Sequence, residues 1–119
     1  MKEISIYTRQ EDFSKIVGIL RKHNVGGITF FEINGSGRRK REPVPERVRM
    51  YMTGKMVTPE FVKGTKVEVI VPDSSADQIV EDVLNNLGTA HGMIFVKDVS
   101  GAYEIGSKLK GESVLTPPK

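Results

Sequence analysis

A chain of 119 residues has room for one modest hydrophobic core, and without cysteine it can build neither a disulfide nor a thiolate metal site. Its 38% hydrophobic and 28% charged residues fit a folded domain rather than a disordered polyelectrolyte, and no apolar run approaches the roughly 20 residues that span a bilayer. The net charge of +3 is local: Arg38, Arg39, Lys40, Arg41, Arg47 and Arg49 face only Glu42 and Glu46, and the remainder of the chain is close to neutral.

Ile4, Ile6 and Thr8 alternate with Glu3, Ser5 and Tyr7, the period of a strand covered on one face. The segment from Met1 to Ile6 has no signal-peptide h-region, and with the lack of cysteine this favours a cytoplasmic setting. After a turn at Arg9-Gln10, Phe13, Ile16, Val17 and Leu20 recur at helical spacing. Glu11 or Asp12 stands at the positive end of that dipole, Lys22 and His23 fall in the last turn, and Asn24 or Gly26 can take the left-handed cap. Gly26-Gly27 then releases the chain into a second strand, Ile28 to Asn34, rich in Phe, Ile and Thr.

That strand ends in Gly35-Ser36-Gly37 and opens into the four cations Arg38 to Arg41. No core pattern returns until about Lys66, and loops this long in small domains are usually functional or disordered. Pro43, Pro45 and Pro59 argue against a continuous helix or a central strand there. Val48, Met50 and Met52 alternate with Arg49, Tyr51 and Thr53, which leaves room for an exposed hairpin. Val67, Val69 and Val71 give a third strand ended by Pro72. Ser75 and Gln78 have capping-box spacing, Ala76, Ile79, Val80, Val83, Leu84 and Leu87 form a wide apolar stripe, and Gly88 suits a C-cap. Met93 to Val96 reads as a fourth strand, followed by a short extended stretch at Tyr103 to Ile105.

The order β-α-β-(loop)-β-α-β predicts an α+β, ferredoxin-like βαββαβ fold, an antiparallel sheet with both helices on one face. The expected organisation is a single domain over residues 1–112, with a long basic loop at 38–64 and a flexible tail at 113–119. The second sheet face needs a cover, and for so small a domain this points to self-association.

The cation run has three readings: a phosphate clamp, a docking patch, or a solvated charge run, the commonest meaning of clustered charge. Its position straight after Gly35-Ser36-Gly37 moves Arg38 toward ligand contact, and the outer cations Arg39, Lys40, Arg41, Arg47 and Arg49 toward a partner protein. Nucleic acid is disfavoured, because aromatic interleaving is poor and no DNA-binding motif is present. Enzyme chemistry has no support: there is no cysteine nucleophile, no Ser-His-Asp arrangement and no close His/carboxylate metal motif. Glu68 and Asp73 read as strand and cap residues.

Three stretches together resemble the PII nitrogen-regulatory signal-transduction family. They are Gly27-Ile28-Thr29 running through Glu32-Ile33 to Gly35-Ser36-Gly37-Arg38 with Lys40, the strand Lys66 to Asp73, and Gly92-Met93-Ile94-Phe95-Val96. The resemblance covers nearly the whole chain in element order. It implies a homotrimer with nucleotide in the clefts between subunits and a target protein docked on the basic loop, the family's T-loop. By position, Gly27, Ile28 and Thr29 would line the adenine from one subunit. Gly35, Ser36, Gly37 and Ile70 would form the pocket floor, Arg38 would face the phosphates, and Gly92 would close the phosphate-cradling B-loop. Glycine permits close backbone approach and arginine offers a forked permanent cation, so these residue types suit those roles.

The departures narrow the expectation. Relatives that sense 2-oxoglutarate carry Gln after the first Arg, where this chain has Arg39, which argues against magnesium and 2-oxoglutarate binding in the familiar manner. The B-loop shrinks to Leu87-Gly88-Thr89-Ala90-His91-Gly92, Met93 stands in place of its Lys, and Glu104 and Gly106 stand where C-loop arginines belong. With those cations missing, the expected effector is ADP, AMP, ATP or another small anion. The alternative is an effector-independent scaffold whose basic loop engages protein or nucleic acid constitutively.

Overall fold

The computed structural model describes residues 1–36, 61–87 and 92–118, together with the backbone of 44–45 and 56–57. Six strands and two helices follow in order: β1 Lys2–Arg9, α1 Phe13–Lys22, β2 Thr29–Gly35, β3 Val44–Pro45, β4 Met56–Val57, β5 Val62–Val71, α2 Asp73–Asn86 and β6 Gly92–Asp98. β2, β5, β1 and β6 lie side by side in that order, and every pair is antiparallel. β1 and β2 therefore run parallel with β5 between them, and β5 and β6 run parallel with β1 between them. Two split βαβ units interleave, which is the ferredoxin-like arrangement. No helix among the described residues is long and apolar enough to cross a membrane.

Strand alternation and helical period converge on one core. Ile4 and Ile6 of β1 pair with Val69 and Val67 of β5, and all four are buried against Ile16, Leu20, Ile79 and Val83 of the two helices. In α1 the buried set is Ile16, Ile19 and Leu20, while Val17 is only partly covered. In α2 it is Ala76, Ile79 and Val83, and Leu84, expected in the stripe, is exposed. The stripe is narrower than the apolar count implied because each helix touches the sheet along one line. Asn24 takes the left-handed cap with φ of 59°, a conformation that asparagine tolerates better than most residues.

Three local expectations change. The Ser75/Gln78 capping box does not form: α2 begins at Asp73 behind an extended Pro72, and Ser75 Oγ instead donates to the Pro72 carbonyl at 3.1 Å. The positive end of this helix is met by Asp73 itself, whose carboxylate lies 3.0 Å from the N-terminal ammonium. The loop expected over 38–64 gives way to β5 at Val62, because Val62, Lys63, Gly64 and Thr65 all pair with β2. The hairpin expected from the Val48–Thr53 alternation lies outside the described residues, but β3 and β4 pair antiparallel, Val44 with Val57 and Pro45 with Met56. The tail expected to be free from residue 113 is tied down at Leu115, which is 8% exposed and whose carbonyl accepts from Gly26 N–H.

Candidate functional site

The register assigns each candidate to an end of the sheet. Gly35 closes β2 opposite Val62, with Ser36 exposed just after it, and Gly92 opens β6 opposite Thr8. These three share the pole from which the long loop leaves. Thr29 begins β2 opposite Glu68, Gly27 is exposed, Ile28 is half-buried against the core, and Ile70 pairs with Glu3 on β1. Ile70 lies two positions beyond Glu68, so it sits near Gly27–Thr29 rather than near Gly35. Gly37, Arg38, Arg39, Lys40, Arg41, Arg47 and Arg49, and with them Gly88 and His91, lie outside the described residues.

One subunit alone does not gather these positions. β2 and β6 are opposite edges of the sheet, so Gly35 and Gly92 are about three inter-strand spacings apart, roughly 14 Å. Thr29 and Gly35 are six residues apart along an extended strand, about 20 Å.

Two glycines at the loop pole close in on β1. A Cβ on Gly92 would stand 2.1 Å from the Tyr7 carbonyl oxygen, and one on Gly64 would stand 2.7 Å from that of Thr8. Only glycine allows both neighbouring strands to press this closely. Between them the Thr8 hydroxyl is buried and has no hydrogen-bond partner among the described residues. Sequence periodicity leaves Gly64 at the end of the loop, whereas a glycine inside a strand is the signal for a close backbone approach.

The sheet face away from the helices carries Tyr7, Phe31, Met93 and Phe95, and the last three are 47%, 51% and 48% exposed. Tyr7 and Phe95 meet edge to face with ring centroids 5.5 Å apart. The charges on this face pair among themselves. Lys66 Nζ lies 2.8 Å from Glu68 and 5.4 Å from the centroid of the Tyr7 ring, and Lys97 Nζ lies 3.8 Å from Glu3. Hydrogen bonds to Glu68 and then Tyr7 hold the Lys66 ammonium above its ordinary pKa. Self-neutralised charge leaves the aromatic and methionine side chains as the face's available surface. Among the described residues no three acidic or histidine side chains cluster to hold a metal.

Comparison with known proteins agrees with this architecture. The family model described as nitrogen regulatory protein P-II matches residues 1–108. A nitrogen regulatory protein P-II of Haemophilus influenzae is 28% identical over 118 residues, covering 97% of this chain and all of that protein. Nitrogen regulatory protein P-II 2 of Methanothermobacter thermautotrophicus is 29% identical over 118 residues and 97% of each chain. Nitrogen regulatory protein P-II 1 of Escherichia coli K12 is 28% identical over 108 residues, 88% of this chain and 91% of that protein. With most of the chain matched and the strand order in place, the protein belongs to the nitrogen regulatory P-II family of signal-transduction proteins.

Proposed function

We propose that the chain works as a homotrimer that takes an adenine nucleotide or another small anion between subunits and regulates a target protein through the basic loop after Ser36. The observation that carries this reading is the division of the candidate positions between opposite sheet edges, Gly35 on β2 and Gly92 on β6. A second copy would unite them. The open face with Tyr7, Phe31, Met93 and Phe95 supports the same assembly, since burying it would remove a contiguous set of aromatic and methionine side chains from water. Gly27 and Gly35 have open space where a Cβ would be, so a ligand can approach their backbone. Arg38, one residue past Gly37, would meet the phosphates, and Arg39, Lys40, Arg41, Arg47 and Arg49 would meet the partner protein. The family description, nitrogen regulatory protein P-II, supports a target in nitrogen metabolism. Effector occupancy would bias the loop between orderings, an order–disorder switch.

A second reading has one observation behind it. Met93, at the start of β6, offers no cation beside Gly92. An effector-independent scaffold acting constitutively through the loop fits that loss. Sedimentation equilibrium and titration calorimetry with ADP, AMP and ATP separate the two. The main reading expects a trimer mass and micromolar binding that Arg38→Ala weakens. A monomer overturns the assembly, and silence from every nucleotide with the trimer intact leaves the constitutive scaffold.

A further inference from the structure

The turn that feeds β2 is held from both ends of the chain. α1 ends at Lys22, Asn24 takes a left-handed conformation, and Val25 N–H donates to the Leu20 carbonyl at 3.3 Å. The next amide, Gly26 N–H, donates to a carbonyl from the far end of the chain, Leu115 O, at 3.0 Å. The lack of a side chain at Gly26 makes this possible, because a Cβ there would stand 2.8 Å from the same oxygen. The three residues that follow are Gly27, Ile28 and Thr29.

Leu115 arrives on a built element. Gly111 N–H donates to the Ala102 carbonyl at 2.9 Å, residues Gly111–Val114 form a 3₁₀ turn, and Leu115 N–H closes it on Glu112 O at 3.0 Å. Leu115 is buried yet stands apart from the main core cluster. With Val25, Val71, Pro72, His23 and Ser75 it lines a cleft of about 180 Å³. An anchor outside the main core cluster opens at lower cost than the core itself.

We infer that the C-terminal strap Gly111–Thr116 positions the Gly27–Thr29 segment, with the Leu115 side chain as anchor and its carbonyl as the hold on Gly26. Leu115 is a positioning residue that touches no ligand itself. Its effect on affinity rests on the nucleotide reading above, whereas its effect on the turn does not. Strap seating and nucleotide binding are then linked: whatever lifts the strap loosens the adenine side, and a bound nucleotide holds the strap down.

The test measures amide hydrogen exchange by NMR and ADP binding by calorimetry on the full chain. The variants are Leu115→Ala, Leu115→Met and Gly26→Ala, with Val83→Ala as a core control away from the strap. Gly26→Ala lifts the strap by steric conflict while leaving Leu115 intact, so the pair remains informative if one variant folds poorly. The expected result for Leu115→Ala and Gly26→Ala is exchange at the residue-26 amide faster by about tenfold, the factor that corresponds to 1.4 kcal/mol, with shifted amide resonances at Gly27 and Ile28 and a similar loss of ADP affinity. Leu115→Met should restore both, and Val83→Ala should leave affinity unchanged while the protein is folded. Unchanged exchange at the residue-26 amide or unmoved Gly27 and Ile28 resonances in Leu115→Ala, or an equal affinity loss in Val83→Ala, overturns the inference. If the parent chain binds no ADP, AMP or ATP, the nucleotide reading fails, and the exchange rates alone decide whether the strap positions the turn.

Discussion

His23 Nε2 donates to Asp82 Oδ2 at 2.7 Å, joining the end of α1 to the middle of α2. The acceptor is a carboxylate, so the hydrogen sits on Nε2. Asn86 Nδ2 donates to the same side chain, and Lys22 Nζ lies 3.8 Å away. Both partners are largely covered, so the bond is screened less than a surface pair. His23→Ala is expected to lower stability by about 1.5–3 kcal/mol, the range for hydrogen bonds to charged groups, read as a lower urea midpoint at constant slope. An unchanged midpoint would mean the helices are joined by packing alone.

Glycines at Gly92 and Gly18 are expected to respond in opposite directions. Gly92→Ala forces a methyl to within 2.1 Å of a central-strand carbonyl and should cost at least about 3 kcal/mol by opening the β1–β6 edge. Gly18 is inside α1 with nothing within 4 Å of its added Cβ, so Gly18→Ala should gain about 0.5–1 kcal/mol from helix propensity. Thermal unfolding of the two variants checks both signs.

Phe95→Asp places a charge on the open sheet face. It is expected to shift the sedimentation equilibrium toward monomer while the far-ultraviolet dichroism stays that of the parent, because Phe95 points away from the helix-side core. Retention of the assembly would show that the subunits meet elsewhere.

The pH response of the exposed Lys2–Asp98 pair follows from its hydrogen bond. The Lys2 ammonium, by hydrogen bond and then by charge, holds the Asp98 carboxyl below its ordinary 3.8, and Asp98 likewise raises Lys2 above 10.5. The folded carboxyl binds protons less readily than the unfolded one. Its contribution is therefore present above the ordinary carboxylate value and is lost as pH falls through the lowered folded value. For Lys2 the contribution is present below 10.5 and is lost as pH rises through the raised folded value. Carbon-detected NMR should give an Asp98 midpoint below 3.8 that returns toward it in Lys2→Met.

Strand alternation at Ile4, Ile6, Val67, Val69 and Val71 and the helical spacing at Ile16, Leu20, Ile79 and Val83 made the fold readable from sequence, because each pattern records one buried face. The failures share a cause. β5 begins at Val62 because β2 supplies partners there, the Ser75 cap gives way to a bond with Pro72, and Leu115 is buried because Gly26 leaves room for it. Each depends on a neighbour distant in sequence, which local periodicity does not carry. Arg38 and the cations after it stood out by charge and by their place after a glycine turn, whereas Gly92 was a candidate only through resemblance, since Gly35 and Gly92 occupy opposite edges and no spacing rule connects them.

β1 precedes the other strands in the chain and is one of the sheet's two central strands, with Lys2 pairing Val71 on one side and Asp98 on the other. During synthesis its apolar face has no strand partner until β5 has emerged, so the sheet assembles late and nearly all at once. The same topology gives evolution latitude. Closing the connection between Gly35 and Val62 costs only about 0.6 kcal/mol for each doubling of its length. Its length and charge can therefore drift to suit new partners while the strand register beneath stays fixed.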